Sequence, residues 1–596
     1  MPWRPELGRR GLLQASAALA VAQPDVPVPV RASARPGSGR FMADEFGTVG
    51  VFGLEWLLEP RFTRLLDHIA ASPGAVRGIR AFGVLNGGLD KTFPTLNGAI
   101  WDDPDRPMDF SRSLAALEAM VSRGLVPFLP LTFFPPAVSP KPITPPASWE
   151  RWQALVRGFL DAVVGRFGAA EVARWWFEGW NEPNMPPFWG GDFDQYLALY
   201  RATSEAITAS GHRVRLGGPV LAYMPDGGEA LMERFLTFLR ANPAVKCDFV
   251  SLHRKGIWVT EEIEPELSRL VDSAEVTARA VRRLLPERAR GMPVVNDEAD
   301  MRVVFDQPYR PRVTEQFPSW LAAVAIAHDA MSAASPEGMR FLAASDNANQ
   351  QLPRGPFDGR RALMTPVSTP EDLVKLPVMN FYELLRLMGE QRAAPAEGLP
   401  PGVAHLLTSG PHGIAALFTR FEPAGEVRLD YVLRDIPWQQ ANLVQFCIDA
   451  THSNATTLAD KGADPAAMRL AAELGVEAPL RSNLAVTRGE LRVPVRIAAF
   501  GTVLLWVTPH RPAPPATPRW IEARREGGNV VLRWTPDAAP DFYSFELTRD
   551  GSRISPEPLR AAMWIDTAPP PGPHRYGVRA MSASGIWSDA AAQELG

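Results

Sequence analysis

Cysteine and lysine are nearly absent from this chain. Of its 596 residues only two are cysteines, Cys247 and Cys447, too few for a disulfide framework or a four-cysteine zinc site; both are read as free thiols. Lys+Arg is 62, yet the lysines number six, at positions 91, 141, 246, 255, 375 and 461. Long apolar runs are missing as well: no stretch approaches the roughly 18 uninterrupted residues of a membrane span. Neither charge dominates, with 62 basic against 66 acidic residues and a net charge of −4. That leaves no electrostatic case for nucleic acid or an anionic membrane surface as partner. No HExxH, no GxxxxGK[ST] and no GxGxxG opening a helix after a strand is found, so nothing points to a resident metal or nucleotide.

What is present is an ordinary globular composition, 46% apolar, in a chain long enough for three or four domains. The Arg, Ala and Pro bias is that of a GC-rich bacterial gene. Residues 9–22, RRGLLQASAALAVA, put two arginines before a short apolar stretch and a small-x-small end, the order of a twin-arginine export signal. Residues 1–22 are therefore expected to be a signal peptide, the mature chain to start near Gln23, and the protein to work in the periplasm or outside the cell. Apolar runs at 41–49, 77–85, 125–133, 174–180, 213–221, 247–253, 292–298 and 340–346 alternate with helix-length segments such as 111–123, 150–166 and 265–285. Eight βα units predict an α/β fold, a (β/α)8 TIM barrel over 41–392, closed by a helix around 379–390. Residues 23–40 and 393–510, with short strands at 403–408, 413–420, 427–433, 442–449, 491–500 and 502–508, predict a β-sandwich. A Pro-rich linker at 509–520 leads to residues 516–596, whose early-strand Trp and late Tyr resemble a fibronectin type III domain.

In such barrels chemistry sits at the C-terminal ends of the strands, and there the unusual residues fall. Strand four ends in Asn181-Glu182-Pro183, strand six in His253 and Lys255, strand seven in Glu298 and Asp300, and strand eight in Asp346 and Asn347. Carboxylates at the ends of strands four and seven face each other across the barrel mouth. Glycosidic cleavage needs such a pair, one to protonate the leaving oxygen and one to act at the anomeric carbon. Each carboxylate alone could be a strand end or a helix cap; the joint placement is what points to catalysis. His253 could equally be a buried core histidine. Lys255, a lysine in a chain that otherwise uses arginine, suggests a need for a compact ammonium.

SLHRKG at 251–256, NDEAD at 296–300, FEGWNEPN at 177–184, LGGP at 216–219 and SDNA at 345–348 resemble segments of glycoside hydrolase family 39, the family of α-L-iduronidases and β-xylosidases, and its iduronidases in particular. The resemblance covers most of the chain after residue 24. It implies a retaining glycosidase that needs no cofactor, with Glu182 as general acid/base and Glu298 as nucleophile. It further implies Asn181 on the sugar 2-hydroxyl, Arg80 holding Glu298 ionised, and His253, Lys255, Asp346 and Arg360 around the sugar ring and its carboxylate, with Asp300 beside them. Arg361 is one step from Arg360.

Two departures touch the sugar pocket. Phe82 stands where the family carries a histidine after the strand-two arginine, and Val304 stands where iduronidases offer a glycine. The implied substrate is an oligo- or polysaccharide ending in an α-L-iduronide or related uronide. The alternatives are a β-D-xylosidase or arabinose-releasing enzyme and, from another class, a glycan-binding protein without catalysis.

Overall fold

The computed structural model describes residues 26–72, 74, 76–86, 100–222, 228–257, 264–303, 307–345, 356–537 and 539–596. The expected export signal, Asp346, Asn347 and Val304 lie outside the described residues. The chain divides into two compact units. One comprises Met42–Val313 and Ala327–Leu376; the other comprises the residues up to Phe41, Thr314–Ile326 and Pro377–Gly596.

The first unit is the barrel. Its strands are Thr48–Val51, Gly78–Ala81, Val126–Pro130, Trp176–Glu178, Arg215–Ala222, Phe249–His253, Pro293–Asn296 and Arg340–Ala343. They pair in parallel and in chain order. Gly50 N–H donates to Ser345 O at 2.7 Å and Ser345 N–H to Thr48 O at 3.2 Å, which joins the eighth strand back to the first. Parallel strands are buried on both faces, so they read as apolar runs. The helices between them start and stop on local signals. Helix Phe193–Ser210, for example, begins at a capping box in which Asp192 and Gln195 exchange side-chain and backbone bonds.

The first strand departs furthest from the expected run. The run at 41–49 was expected to be extended, yet Ala43–Phe46 forms a 3-10 turn and the strand starts at Thr48. In that turn Glu45 ion-pairs at 2.6 Å with Arg340, at the start of the eighth strand.

An aromatic plug fills the lower barrel. Phe128, Phe249, Val295 and Leu342 cluster with Trp176 against them. Phe128 and Phe249 meet edge-on with centroids 5.8 Å apart, and Trp176 meets Phe249 at 4.8 Å, favoured aromatic geometries. Gly217 makes room for this plug, since a Cβ there would lie 2.4 Å from the Phe249 ring. With the base filled, polar side chains can gather only toward the C-terminal strand ends.

The second unit is β-rich. A three-stranded sheet (Val28–Ser33, Val427–Arg434, Leu491–Ile497) and a seven-stranded sheet share one apolar core, with Val30, Tyr431 and Val493 facing Phe418, Leu443 and Val503. The seven-stranded sheet includes Gly475–Ala485, a strand not anticipated from the sequence. Helix Pro377–Leu387, expected to close the barrel, groups with this unit. Its Asn380 Nδ2 donates to Ser453 O and Ala472 O. The last residues form a sandwich of three and four strands around Trp534, Phe545 and Tyr576, and the Tyr576 hydroxyl donates to Asp566 at 2.9 Å. Both cysteines are buried and free. No helix among the described residues is long and apolar enough to cross a membrane.

Candidate active site

Directly above the aromatic plug the barrel turns from apolar to charged. Arg80, on the second strand, is opposite Phe128 in register. Its guanidinium stacks over Phe82 at 4.7 Å and lies 5.9 Å from Phe128. Its N–H groups then fan out over four side chains from two other strands. They meet Glu178 at 2.8–2.9 Å, Asp297 at 2.7 Å, Asn181 Oδ1 at 3.0 Å and Glu298 Oε1 at 3.3 Å. A rigid planar fork with five donors can serve several carboxylates in fixed directions, whereas an ammonium offers three donors from one point. Phe82 therefore supports the arginine through its ring face and brings no polar atom of its own.

Glu298 lies within reach of three cationic groups. Besides Arg80, Lys255 Nζ donates to Glu298 Oε2 at 2.7 Å, and His253 Nδ1 lies 3.5 Å from Oε1. Burial works to raise its pKa, but His253, Lys255 and Arg80 together hold it far below the usual carboxylate range. Burial also lowers the Lys255 pKa, with Glu298 opposing the change. Glu298 is thus an ionised carboxylate in a dry site.

His253 links the two sides of the site. Its Nδ1 lies 2.7 Å from Glu182 Oε1, and its Nε2 is 3.5 Å from Asp297 Oδ2. Burial disfavours the imidazolium, yet the Glu298 and Asp297 carboxylates push its pKa up to about 10. Below it, burial pushes Glu178 up to about 8, while Asp297, despite its burial, is held down by Arg80 and His253. Glu182 itself adopts a left-handed backbone with φ of 44°, unusual for a non-glycine residue and costing about 1–3 kcal/mol. Its N–H is pinned to Val220 O at 3.0 Å. A donor atom from each of Glu182, His253 and Glu298 lies within 4.8 Å of the other two.

The structure thus gathers Arg80, Phe82, Asn181, Glu182, His253, Lys255 and Glu298 into one site. Asp300 sits deeper: Oδ1 accepts from Ser345 Oγ at 2.9 Å and Oδ2 faces Arg361 Nε at 3.1 Å. Arg361 is buried and donates to the backbone carbonyls of Arg302 and Val303 at 2.9 and 2.6 Å. It therefore fixes the loop after strand seven. Arg360 pairs with Asp358 in its own loop at 3.2 Å, and its side chain is 13% exposed. Two members of the charge network, Glu178 and Asp297, were not anticipated. Their signal was an acid inside an apolar strand, WWFEGW, and three acids within five residues, NDEAD: a buried carboxylate must have a cationic or protonated partner.

A raised histidine pKa has a sign. His253 contributes stability fully present below its unfolded value of about 6.5, which is lost as pH rises through about 10. Between pH 7 and 10 the melting temperature of the protein should fall more steeply than that of His253→Gln. Parallel falls would mean that the histidine is not held as a cation by its carboxylates.

The sequence pattern of glycosyl hydrolases family 39 matches residues 102–416, more than half of the chain. A beta-xylosidase of Caldicellulosiruptor saccharolyticus is 29% identical over 222 residues, 36% of this chain and 42% of the relative. The alpha-L-iduronidase of Homo sapiens is 30% identical over 264 residues, 40% of this chain and 38% of the relative. The chain thus spans about two fifths of the length of these curated relatives. Among solved structures, a bacterial orthologue of human α-L-iduronidase superposes with a TM-score of 0.79 at 21% identity, covering 96% of this chain and 99% of that one. A monomeric beta-xylosidase from Caulobacter crescentus superposes with a TM-score of 0.65 at 19% identity, covering 81% and 100%. These likenesses are of fold, and they agree with the barrel and the antiparallel sheets that follow it. Strand order, the paired carboxylates and the match over residues 102–416 converge: the chain belongs to glycosyl hydrolases family 39.

Proposed function

We propose that the protein is a retaining exo-glycosidase that releases a terminal α-L-iduronide or a related uronide. The observation that supports retention most directly is the placement of Glu182 and Glu298 with donor atoms within 4.8 Å of each other. Retaining enzymes set their carboxyl groups about 5–5.5 Å apart, whereas inverting enzymes leave about 6.5–9.5 Å for a water between them. On this reading the ionised Glu298 attacks the anomeric carbon while Glu182 protonates the departing oxygen. Glu182 then takes a proton from the water that hydrolyses the glycosyl-enzyme. Asn181, held by Arg80 at 3.0 Å, would present its amide to the sugar 2-hydroxyl. The left-handed Glu182 backbone is consistent with strain retained at a working site.

The uronide part rests on cations. Lys255 is an ammonium held against Glu298, and Arg360 is an incompletely buried arginine in the loop beyond strand eight. A β-D-xyloside, which has no carboxylate at C5, is the second reading. Val304 favours it, because it stands where iduronidases offer a glycine.

Glu182→Ala should lose most turnover yet still form the glycosyl-enzyme from a substrate with an activated aryl leaving group, and azide should partly restore its rate. Glu298→Ala should lose turnover without such rescue by leaving-group activation. Near-normal kcat in Glu298→Ala would remove the nucleophile assignment. For specificity, Arg360→Ala should lower kcat/KM for an aryl iduronide by roughly 30-fold or more, at 1.4 kcal/mol per factor of ten, and barely change that for an aryl xyloside. Equal losses on both sugars, or none on the iduronide, would put the xyloside reading ahead.

A further inference from the structure

Far from the barrel chemistry in sequence, the β-rich unit holds a second cluster of donor side chains. Cys447 is the penultimate residue of the strand Gln440–Ile448, Asp449 directly follows that strand, His452 lies in the next turn, and Glu477 lies on the adjacent strand Gly475–Ala485. A ligand atom from each of the four lies within 4.8 Å of the others. We propose that Cys447, Asp449, His452 and Glu477 form a binding site for a thiophilic divalent cation of the zinc type.

The donor set is the first argument. One thiol, one imidazole and two carboxylates match a borderline-soft ion that prefers four mixed S, N and O ligands. Calcium or magnesium would want an all-oxygen set. The turn that carries three of the donors is also pre-organised. Asp449 Oδ1 accepts from Thr451 N–H at 2.8 Å, Thr451 Oγ at 2.9 Å and His452 N–H at 2.8 Å, and faces His452 Nδ1 at 3.0 Å. Ser453 Oγ donates to Cys447 O. The other Asp449 oxygen faces Cys447 Sγ at 3.4 Å.

Charge is the second argument. Arg496 binds Glu477 through two bonds of 2.7 and 2.8 Å and Asp449 through one of 3.0 Å. It is a resident cation, but it need not leave. Each carboxylate oxygen has two lone pairs, so the guanidinium can remain as an outer partner that orients the carboxylates. An entering dication would displace the thiol proton of Cys447, which goes to solvent.

Access and reach are compatible with this. Cys447 and Asp449 are buried, whereas His452 and Glu477 are partly exposed at 31% and 20% of their side chains, which gives an entry path. Tetrahedral zinc ligands lie about 3.5 Å apart, given bonds of about 2.0–2.3 Å. The Cys447 Sγ–Asp449 Oδ2 separation of 3.4 Å and the Asp449 Oδ1–His452 Nδ1 separation of 3.0 Å are close to that spacing.

The test uses the full chain, stripped with a chelator and titrated with Co2+ in weak buffer at neutral pH. One equivalent should bind, with a thiolate-to-cobalt charge-transfer band in the near ultraviolet and tetrahedral-type visible bands. The band should vanish in Cys447→Ser and persist in Cys247→Ser. His452→Ala, a change in a partly exposed turn that keeps the thiol, should fold and bind at least tenfold more weakly. Absence of the band with stoichiometric cobalt, its loss in Cys247→Ser rather than Cys447→Ser, or undiminished binding in His452→Ala would overturn the site.

Discussion

The charged cluster around Glu298 is organised by one buried guanidinium. Arg80 is 1% exposed and meets Glu178, Asp297 and Glu298 within 3.3 Å. Burying such charges is costly, and removing one partner of a buried ionic group typically costs about 3–5 kcal/mol because the others are left uncompensated. Burial pushes Glu178 up to about 8, whereas Arg80 helps to hold Asp297 and Glu298 below the ordinary carboxylate range. Two aromatic rings, Phe82 and Phe128, keep that guanidinium dry and in plane. The interaction links the apolar plug to the chemistry above it.

The same network separates the two carboxylates by environment. Glu298 meets Arg80, Lys255 and His253, whereas Glu182 meets the histidine alone among these groups. A pair of identical side chains is thus given unequal surroundings, which is what acid/base and nucleophile roles require. His253 contacts both sides, so its charge connects them.

Much of this was legible in the sequence for a physical reason. Parallel barrel strands are buried on both faces and end where the chain must turn, so apolar runs bounded by Gly, Pro and Asn mark them, and Asn181, Glu182, His253 and Glu298 stand out as polar residues at their ends. Other features depend on distant partners. The turn at Ala43–Phe46 carries Glu45, whose partner Arg340 is nearly three hundred residues away. The strand Gly475–Ala485 lies at a sheet edge, contains Pro479 and pairs with irregular register, so it lacks the two-residue alternation that reveals a strand. Glu178 and Asp297 were hidden in plain view, because an acid in an apolar run has meaning only once its cation is found. Arg360 and Arg361 are adjacent in sequence, and only the fold separates the one that holds the strand-seven loop from the one beside Asp358.

The central claim is that Glu298 forms a covalent glycosyl-enzyme and that Glu182 serves it as acid and base. Proton NMR of the first-formed sugar, recorded during hydrolysis before mutarotation, tests this most directly. The account predicts a product with the anomeric configuration of the substrate. A first product of the opposite configuration would contradict it.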